Sequence, residues 1–207
     1  MERQPGATGT GGGRGVMLLL SGPSGCGKST LCRRLLQDPR VEFSVSATTR
    51  KPRPGEVDGR SYHFLSQEEF RARIRAGDFI EYAEVHGNLY GTLRAPMERA
   101  LAEGRVYLVE IDVQGALQLK GLGVPGIYVF VAPPDADTLR RRLEGRGTDA
   151  PEVIERRLAK ARDEMLEQDK YDHVVVNGDL EQALAEVRLI AGLEPAPAAS
   201  ERPEEER

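Results

Sequence analysis

Short apolar runs alternate with amphipathic segments along most of the chain. Val16–Leu20, Val106–Asp112, Ile127–Ala132 and His173–Asn177 are runs that favour strands buried on both faces of a parallel sheet. Amphipathic spacing, capping residues and glycine stops predict helices at Thr30–Gln37, Arg94–Glu103, Asp135–Glu144, Pro151–Gln168 and between Asp179 and Gly192. Strands that alternate with helices in this way predict an α/β fold with helices flanking a parallel sheet.

The alternation is interrupted between residues 44 and 94. Several short elements are predicted here: a strand at Phe43–Thr48, a turn-rich basic loop, a strand at Tyr62–Leu65 and a helix from the capping box Ser66/Glu69 to Gly77. Phe79–Val85 and Asn88–Tyr90 follow as a hairpin or as two short strands. We interpret residues 44–94 as a small inserted α+β subdomain. Core segments are then expected at residues 15–43, 95–133 and 167–193.

Two further kinds of segment lie outside this core. Residues 134–166 are rich in arginine and predict a helical lid. Residues 1–14 are rich in glycine, and residues 194–207 are rich in proline, alanine and glutamate. Because neither end offers enough apolar surface to offset its ordering entropy, both are expected to be disordered tails.

Composition narrows the class of protein. The 207 residues carry a net charge of −4, which argues against a general nucleic-acid or membrane-surface binder. The sequence has no apolar run of about 20 residues and no signal-peptide core. Its two cysteines, Cys26 and Cys32, favour neither a disulfide framework nor a metal site. We therefore expect a cytoplasmic protein without a membrane or nucleic-acid partner, and the oligomeric state stays open.

The segment GPSGCGKST follows the first apolar run directly. Gly22, Gly27, Lys28 and Ser29 occupy the fixed places of the pattern G-x-x-x-x-G-K-[ST], with a strand before it and a helix after it. Glycines let backbone N–H groups surround phosphate oxygens, Lys28 adds charge at the terminal phosphates, and the Ser29 hydroxyl suits Mg²⁺. The predicted ATP-binding loop comprises Gly22, Pro23, Ser24, Gly25, Cys26, Gly27, Lys28, Ser29 and Thr30.

The insert carries residues suited to a phosphate acceptor. Arg50 and Arg53 lie in a proline-stiffened basic loop, and Tyr62 and Tyr90 each flank a turn. Two guanidinium groups with two phenol hydroxyls suit a monophosphate. The alternative is an ordinary solvated charged loop.

Glu81 adds a purine-reading group to the insert. A carboxylate can accept from both N1–H and the 2-amino group of guanine, whereas adenine offers no such pair of donors. Ser46 and Thr92 supply hydroxyls for the guanine O6. A wrong base would leave buried polar groups unpaired, so this set favours guanine.

Taken together, the motifs resemble those of the guanylate kinase family. The matching segments are GPSGCGKST, SVSATTRKPRPGEVDGRSYHF, FIEYAEVHGNLYGT, EIDVQGA and RLEGRGTD, and the resemblance runs from about Val16 to about Leu193. It implies a P-loop NTPase core, an inserted GMP-binding subdomain and a helical lid. The implied reaction converts ATP and GMP to ADP and GDP with Mg²⁺, with dGMP as a further acceptor.

Roles for individual residues follow from the same resemblance. It assigns the GMP phosphate to Arg50, Arg53, Tyr62 and Tyr90, the guanine to Ser46, Glu81 and Thr92, the ATP phosphates to Arg146 and Arg157, and adenine to Asn177. Glu110 and Asp112 are expected near the ribose, the magnesium shell or the arginines, and this choice stays open. The expected catalytic group is Lys28, Arg50, Arg146 and Arg157, with Ser29 as the metal ligand.

No general base is predicted, because a GMP phosphate oxygen is already anionic near neutral pH. His63, His86 and His173 are accordingly given no catalytic role. The insert and the lid are expected to close over the two substrates and exclude water.

Two alternatives stay open from the sequence. A non-catalytic scaffold module with the same architecture would bind phosphopeptides through the insert, but such modules usually have an eroded phosphate loop. A kinase acting on another small acceptor, such as a sugar phosphate, would have no use for the guanine-reading set of Glu81, Ser46 and Thr92.

Overall fold

Residues 15–85, 87–145 and 149–194 are described by a computed structural model. The strands of this part are β1 Val16–Ser21, β2 Val41–Phe43, β3 Ala47–Thr48, β4 His63–Phe64, β5 Phe79–Val85, β6 Asn88–Leu93, β7 Val106–Glu110, β8 Ile127–Ala132 and β9 His173–Val176. Its α-helices are α1 Lys28–Leu35, α2 Gln67–Ala76, α3 Arg94–Ala102, α4 Val113–Gly121, α5 Ala136–Glu144, α6 Pro151–Met165 and α7 Leu180–Ile190.

A five-stranded parallel sheet forms the centre of the fold, in the order β2-β7-β1-β8-β9. Strand β1 is central, and its side chains alternate between the two faces. Leu18 and Leu20 pack in a cluster with α1 and α7, whereas Met17 and Leu19 pack in a second cluster with α3 and α4. All four side chains are at most 1% exposed, as expected for a strand covered by helices on both faces. The predicted α/β class with a parallel, helix-flanked sheet is confirmed.

A second sheet of four short strands, in the order β4-β3-β6-β5, lies in the region predicted as an insert. Helix α2 packs on it through Phe70, whose ring stacks on Phe79 at 4.4 Å between centroids. The predicted capping box is confirmed, since the Ser66 hydroxyl accepts from Glu69 N and the Glu69 carboxylate accepts from Ser66 N. That residues 44–94 act as a separate substrate-binding subdomain stays a prediction.

The strand predicted over Phe43–Thr48 is wrong as a single element. Phe43 ends β2 in the parallel sheet, while Ala47 begins β3 in the second sheet, and residues 44–46 connect the two. Alternating polarity is the same in both sheets, so the pattern gave no sign that the chain changes sheets. Strand 62–65 is likewise shorter than predicted, covering only β4.

Helix α4 was missed, because two glycines in VQGALQLKG weaken its helical pattern. Asp112, predicted to end a strand, instead caps this helix: its Oδ1 accepts from Gly115 N at 2.8 Å. Strand β7 therefore stops at Glu110. The capping aspartate and the strand's last glutamate both lie at the carboxyl edge of the sheet, where parallel α/β folds place their ligand sites.

Helices α5 and α6 pack against each other through a small apolar cluster of their own, comprising Leu139, Leu143, Ile154, Leu158 and Ala161. Helix α6 ends at Met165, three residues before the predicted end. The two helices lie beside the carboxyl edge of the main sheet, where Arg142 and Arg157 approach the phosphate loop and its cavity. Whether this segment moves as a lid stays a prediction.

Candidate active site

The loop between β1 and α1 has a backbone that only glycine fits at two positions. Gly22 has φ +137°, and a Cβ there would lie 2.3 Å from the Val131 carbonyl oxygen. Gly27 has φ +101°, and a Cβ there would lie 2.2 Å from Asn177 Nδ2. Close neighbours at the ends of β8 and β9 therefore fix the shape of this loop, which leads into the start of α1, where helix N–H groups can bind an anion.

Lys28 is turned inward onto this loop. Its ammonium group donates to the carbonyl oxygens of Gly22 at 2.6 Å and Pro23 at 3.0 Å. These two carbonyl oxygens accept the hydrogen bonds that a phosphate could otherwise accept from Lys28. A phosphate chain that binds Lys28 therefore has to replace the carbonyls as its hydrogen-bond acceptors.

The underside of the loop is held by polar groups from distant elements. The Cys26 carbonyl accepts from Asn177 Nδ2 at 2.8 Å and from Arg142 at 3.2 Å. Arg142 also donates to the Asn177 carbonyl at 2.9 Å, so one side chain ties α5, β9 and the loop together. The Cys26 thiol itself is buried, and burial raises its pKa and that of Cys32. Both thiols therefore remain protonated packing groups.

A cavity of about 520 Å³ opens above the loop. Its floor is the phosphate loop, one wall is the end of β7, and the other wall is α6. The lining residues that carry charge or a hydroxyl at the loop and wall include Lys28, Ser29, Thr30, Glu110, Asp112, Arg157, Lys160 and Glu164. Ser29 Oγ donates to Glu110 Oε1 at 2.6 Å, so the predicted metal ligand lies beside a carboxylate.

The two cations of α6 that line the cavity are paired with acids. Arg157 lies 3.2 Å from the Asp149 carboxylate, and Lys160 lies 3.4 Å from that of Glu164. Burial raises the pKa of Glu164, whose carboxyl faces the cavity together with Asp112. The phosphate cavity thus contains acids as well as cations.

A second cavity, of about 310 Å³, adjoins the first and lies between the second sheet and α4. The two share Ser46, Tyr62, Glu110, Ile111 and Asp112 in their walls. Glu81 lies deep in the second cavity, with 7% of its surface exposed, and accepts from Thr92 Oγ1 at 2.8 Å. Burial raises the pKa of Glu81, while the Thr92 hydroxyl opposes that rise.

The basic loop of the insert is organised around Glu56. Arg50 forms an ion pair with it at 2.8 Å, and the Arg53 backbone N–H donates to its other oxygen at 2.7 Å. Arg50 also lies over the Tyr62 ring, 5.4 Å from its centroid, and Tyr62 meets Tyr90 edge to face at 6.1 Å. The bond from Arg50 holds the pKa of Glu56 below its usual range.

The predicted site residues divide into three groups, and His86, which was given no catalytic role, is named with the third because it also lies outside the described residues. Those that line one or both cavities are Gly22, Ser24, Gly25, Gly27, Lys28, Ser29, Thr30, Ser46, Tyr62, Glu81, Tyr90, Glu110, Asp112 and Arg157. Those that lie behind or beside them are Pro23, Cys26, Arg50, Arg53, Thr92 and Asn177. Arg146 and His86 lie outside the described residues.

Several polar residues of the site escaped the sequence reasoning. Gln114 and Gln118 belong to the missed helix α4, and they line the second cavity. Arg142 is the last of three consecutive arginines, 140–142. Only Arg142 lies three residues after buried Leu139, and residues three apart share a helix face, so this spacing was the one signal that could have singled it out. The sequence around Lys160 and Glu164 is typical of a solvent-exposed helix face, so it gave no sign that these residues line a cavity.

Known proteins are similar in sequence to this chain over most of its length. The family model for guanylate kinase matches residues 14–191. The chain belongs to the guanylate kinase family. It is 49% identical to a guanylate kinase of Cereibacter sphaeroides over 184 residues, covering 87% of each chain. It is 50% identical to a guanylate kinase of Dechloromonas aromatica over 177 residues, covering 85% of this chain and 88% of that one.

The fold is shared with a solved member of the guanylate kinase family. The crystal structure of guanylate kinase from Anaplasma phagocytophilum superposes with a TM-score of 0.67 at 35% identity, covering 86% of this chain and 85% of that one. Among the helices of residues 15–85, 87–145 and 149–194, none is both long and apolar enough to cross a membrane.

Proposed function

We propose that this protein transfers the γ-phosphoryl group of ATP to GMP, giving ADP and GDP. The observation that carries the proposal is the pair of adjoining cavities. One has a phosphate loop as its floor, the other has a buried carboxylate at its base, and both share the wall formed by Glu110 and Asp112. Two nucleotides bound in these cavities would meet with their phosphates towards each other, which is the geometry that phosphoryl transfer needs.

Selection of guanine falls to Glu81. Its carboxylate is buried, and its contact with Thr92 fixes one oxygen while leaving acceptor capacity for a ligand. Guanine would donate from N1–H and its 2-amino group to this carboxylate. Adenine would place the acceptor N1 against it, and the buried charge would be left unsatisfied.

Neutralisation of phosphate charge falls to the loop and the arginines. Lys28 would leave the carbonyls of Gly22 and Pro23 for the ATP phosphates, and Arg157 would leave Asp149. Arg50, next to Tyr62 at the edge of the shared wall, would meet the GMP phosphate. The attacking oxygen of GMP is already anionic, so alignment and charge neutralisation suffice without a general base.

The donor set fits a magnesium ion. Within the described ranges, no cluster of three or more His, Cys, Asp or Glu could hold a metal by itself. Mg²⁺ bound with nucleotides needs only one or two protein oxygens, because phosphates and water supply the rest. Ser29 and Glu110, with oxygens 2.6 Å apart beside Lys28, offer such oxygens. When bound there, the ion would supply positive charge that offsets the negative charge of the phosphates.

An acceptor comparison tests the proposal. The purified protein is given ATP and Mg²⁺ with GMP, dGMP, AMP, CMP or UMP, and ADP formation is coupled to NADH oxidation. GMP is expected to exceed AMP, CMP and UMP by at least about 10³-fold in kcat/KM, because a site built for donors rejects a base that lacks them. Equal use of AMP and GMP would reject the guanine assignment, and no turnover with any acceptor would favour a non-catalytic module.

A further inference from the structure

Helix α6 directs one charged face into the phosphate cavity. Arg157, Lys160 and Glu164 are three and four residues apart, so they share a helix face, and all three line the cavity above the phosphate loop. The neighbouring stripe of Ile154 and Leu158 is buried against α5. The family resemblance assigns only Arg157 a role, which leaves Lys160 and Glu164 unexplained.

Glu164 is an unexpected residue for this place. Its side chain is only 13% exposed, and it shares the cavity with the carboxylate of Asp112. A half-buried carboxylate loses hydration and repels both its acidic neighbour and an incoming phosphate chain. A carboxylate at this position has an energetic cost, which implies a role that offsets it. The side chain that Glu164 contacts indicates such a role.

That group is Lys160, whose ammonium nitrogen lies 3.4 Å from the Glu164 carboxylate. The lysine side chain is 68% exposed, so the ion pair is largely hydrated and contributes little to stability. A phosphate chain with several charges would compete well for such a lysine. The contact with Glu164 meanwhile holds the end of this long, flexible side chain over the cavity.

Arg157 shows the same arrangement one turn away. It also lines the cavity, and it is also held by an acid, Asp149 at 3.2 Å. Arg157 and Lys160 thus share one arrangement, in which an acid positions each cation over the cavity. A bound phosphate chain could then replace the acid as the partner of each cation.

We propose that Lys160 is a further substrate-contacting cation in the transfer reaction, acting on the phosphates of ATP, and that Glu164 is its positioning residue. The inference rests on the proposed function and adds Lys160 to the cations already expected at the ATP phosphates, which are Lys28, Arg146 and Arg157. Lys160 forms and breaks no covalent bond; it offsets charge on the phosphates during transfer.

The test compares Lys160→Met, Lys160→Arg, Glu164→Gln and the double variant Lys160→Met/Glu164→Gln. Lys170→Met is the matched control, because Lys170 pairs with Glu167 outside both cavities. Lys160→Met is expected to lower kcat about 10-fold and to weaken ATP binding about threefold, with the KM for GMP within about twofold of wild type. Lys160→Arg retains most activity, and Lys170→Met matches wild type.

Glu164→Gln should lower kcat about threefold, and the double variant should equal Lys160→Met alone, because a positioning residue has no effect without its partner. A full additional loss in the double variant would overturn the role of Glu164. Wild-type behaviour of Lys160→Met, or a loss matched by Lys170→Met, would overturn the contact. Calorimetric titration of the variants with ATP alone tests the contact between Lys160 and ATP without any acceptor. A failure of this proposal can therefore be distinguished from a failure of the proposed transfer to GMP.

Discussion

The second cavity, which we propose takes guanine and which is called the guanine pocket from here on, shares a wall with the phosphate cavity but is built in a different way. The guanine pocket takes its reading group from one sheet, where Glu81 of β5 and Thr92 of β6 are cross-strand partners joined by a 2.8 Å hydrogen bond. The pair is buried before any ligand arrives. Such a site is preorganised, and a base either matches its donors and acceptors or leaves them unpaired.

The phosphate cavity draws its cations from several elements, and in each contact described here the cation is held by a protein acceptor. Lys28 is held by loop carbonyls, Arg157 by Asp149 and Lys160 by Glu164, while Arg50, which lies beside the cavity, is held by Glu56. Under the proposed function, these acceptors would be exchanged for phosphate oxygens when the substrates bind.

The two constructions suit different tasks, specificity in the guanine pocket and rate in the phosphate cavity. A rigid, buried pair suits discrimination between bases, because it cannot adapt to the wrong one. Exchangeable cations suit catalysis, because contacts completed only as the substrates close stabilise the transition state more than the ground state. Substitutions in the two regions should accordingly separate KM for GMP from kcat.

The largest effect is expected in the phosphate cavity from Lys28→Ala. It removes the charge that should move from the carbonyls of Gly22 and Pro23 to the ATP phosphates. We expect kcat to fall by about 10³-fold, the scale of losing one preorganised charge-stabilising group. Steady-state assays with saturating GMP measure this loss, and circular dichroism checks the fold.

Lys170→Ala is the control for Lys28→Ala, since it removes a surface lysine paired with Glu167. A loss of less than about 10-fold in Lys28→Ala would contradict the catalytic role assigned to the lysine. If Lys28→Ala mainly raised the KM for GMP instead, the proposed division of roles between the two cavities would be wrong.

A smaller and more selective effect is expected in the guanine pocket from Glu81→Gln. The amide would present a donor to the donors of guanine, while its oxygen could still accept from Thr92. We expect kcat/KM for GMP to fall roughly 10- to 100-fold, the cost of one or two unpaired buried groups. The fall should come through KM, with kcat at saturating GMP and the ATP KM little changed.

Glu98→Gln on α3 is the control for Glu81→Gln, because Glu98 is exposed and lines neither cavity. Unchanged use of GMP by Glu81→Gln would remove the basis for guanine selection. An equal fall for ATP affinity would show that the two regions are not independent.

The two regions also differed in how far the sequence predicted them. Gly22, Lys28 and Ser29 have fixed spacing within one loop, and Glu81 and Thr92 face each other in a hairpin, so short-range pattern sufficed to nominate both sets, whose roles stay predictions. Long-range partners were not predictable in this way. Arg142 reaches Cys26 and Asn177, and Lys160 faces a loop more than 100 residues earlier, only because the sheet brings these segments to one edge.

Helix α4 and the change of sheet after Phe43 were missed for a related reason. Glycine at position 115 looks like a helix breaker, yet its N–H is the one that Asp112 caps. The strand alternation continues across residues 43–48 although the chain passes between sheets. In neither case does local propensity distinguish the observed structure from the predicted one, because tertiary packing determines both the helix and the change of sheet.

The smallest effect concerns stability, and it uses Glu81→Gln without nucleotide. Burial raises the pKa of Glu81 above its ordinary value of 4.5, so in the folded state the ionised carboxylate is disfavoured relative to the unfolded chain. This cost is absent below the unfolded pKa, where the group is protonated in both states, and it appears as pH rises through the folded pKa. Glutamine carries no charge and keeps the Thr92 bond.

We therefore expect Glu81→Gln to have a slightly higher free energy of unfolding than wild type at pH 7, with the difference vanishing near pH 3.5, about one unit below the ordinary pKa of a glutamate. Urea unfolding of both proteins across this range measures it, with Glu98→Gln again as reference. A gain at neutral pH, set against the loss of GMP use, would show that the guanine pocket keeps a buried charge for recognition at the expense of stability. A variant that is less stable than wild type at pH 7 would instead make Glu81 part of the packing of β5 and β6, and recognition would not be needed to explain why a carboxylate is buried there.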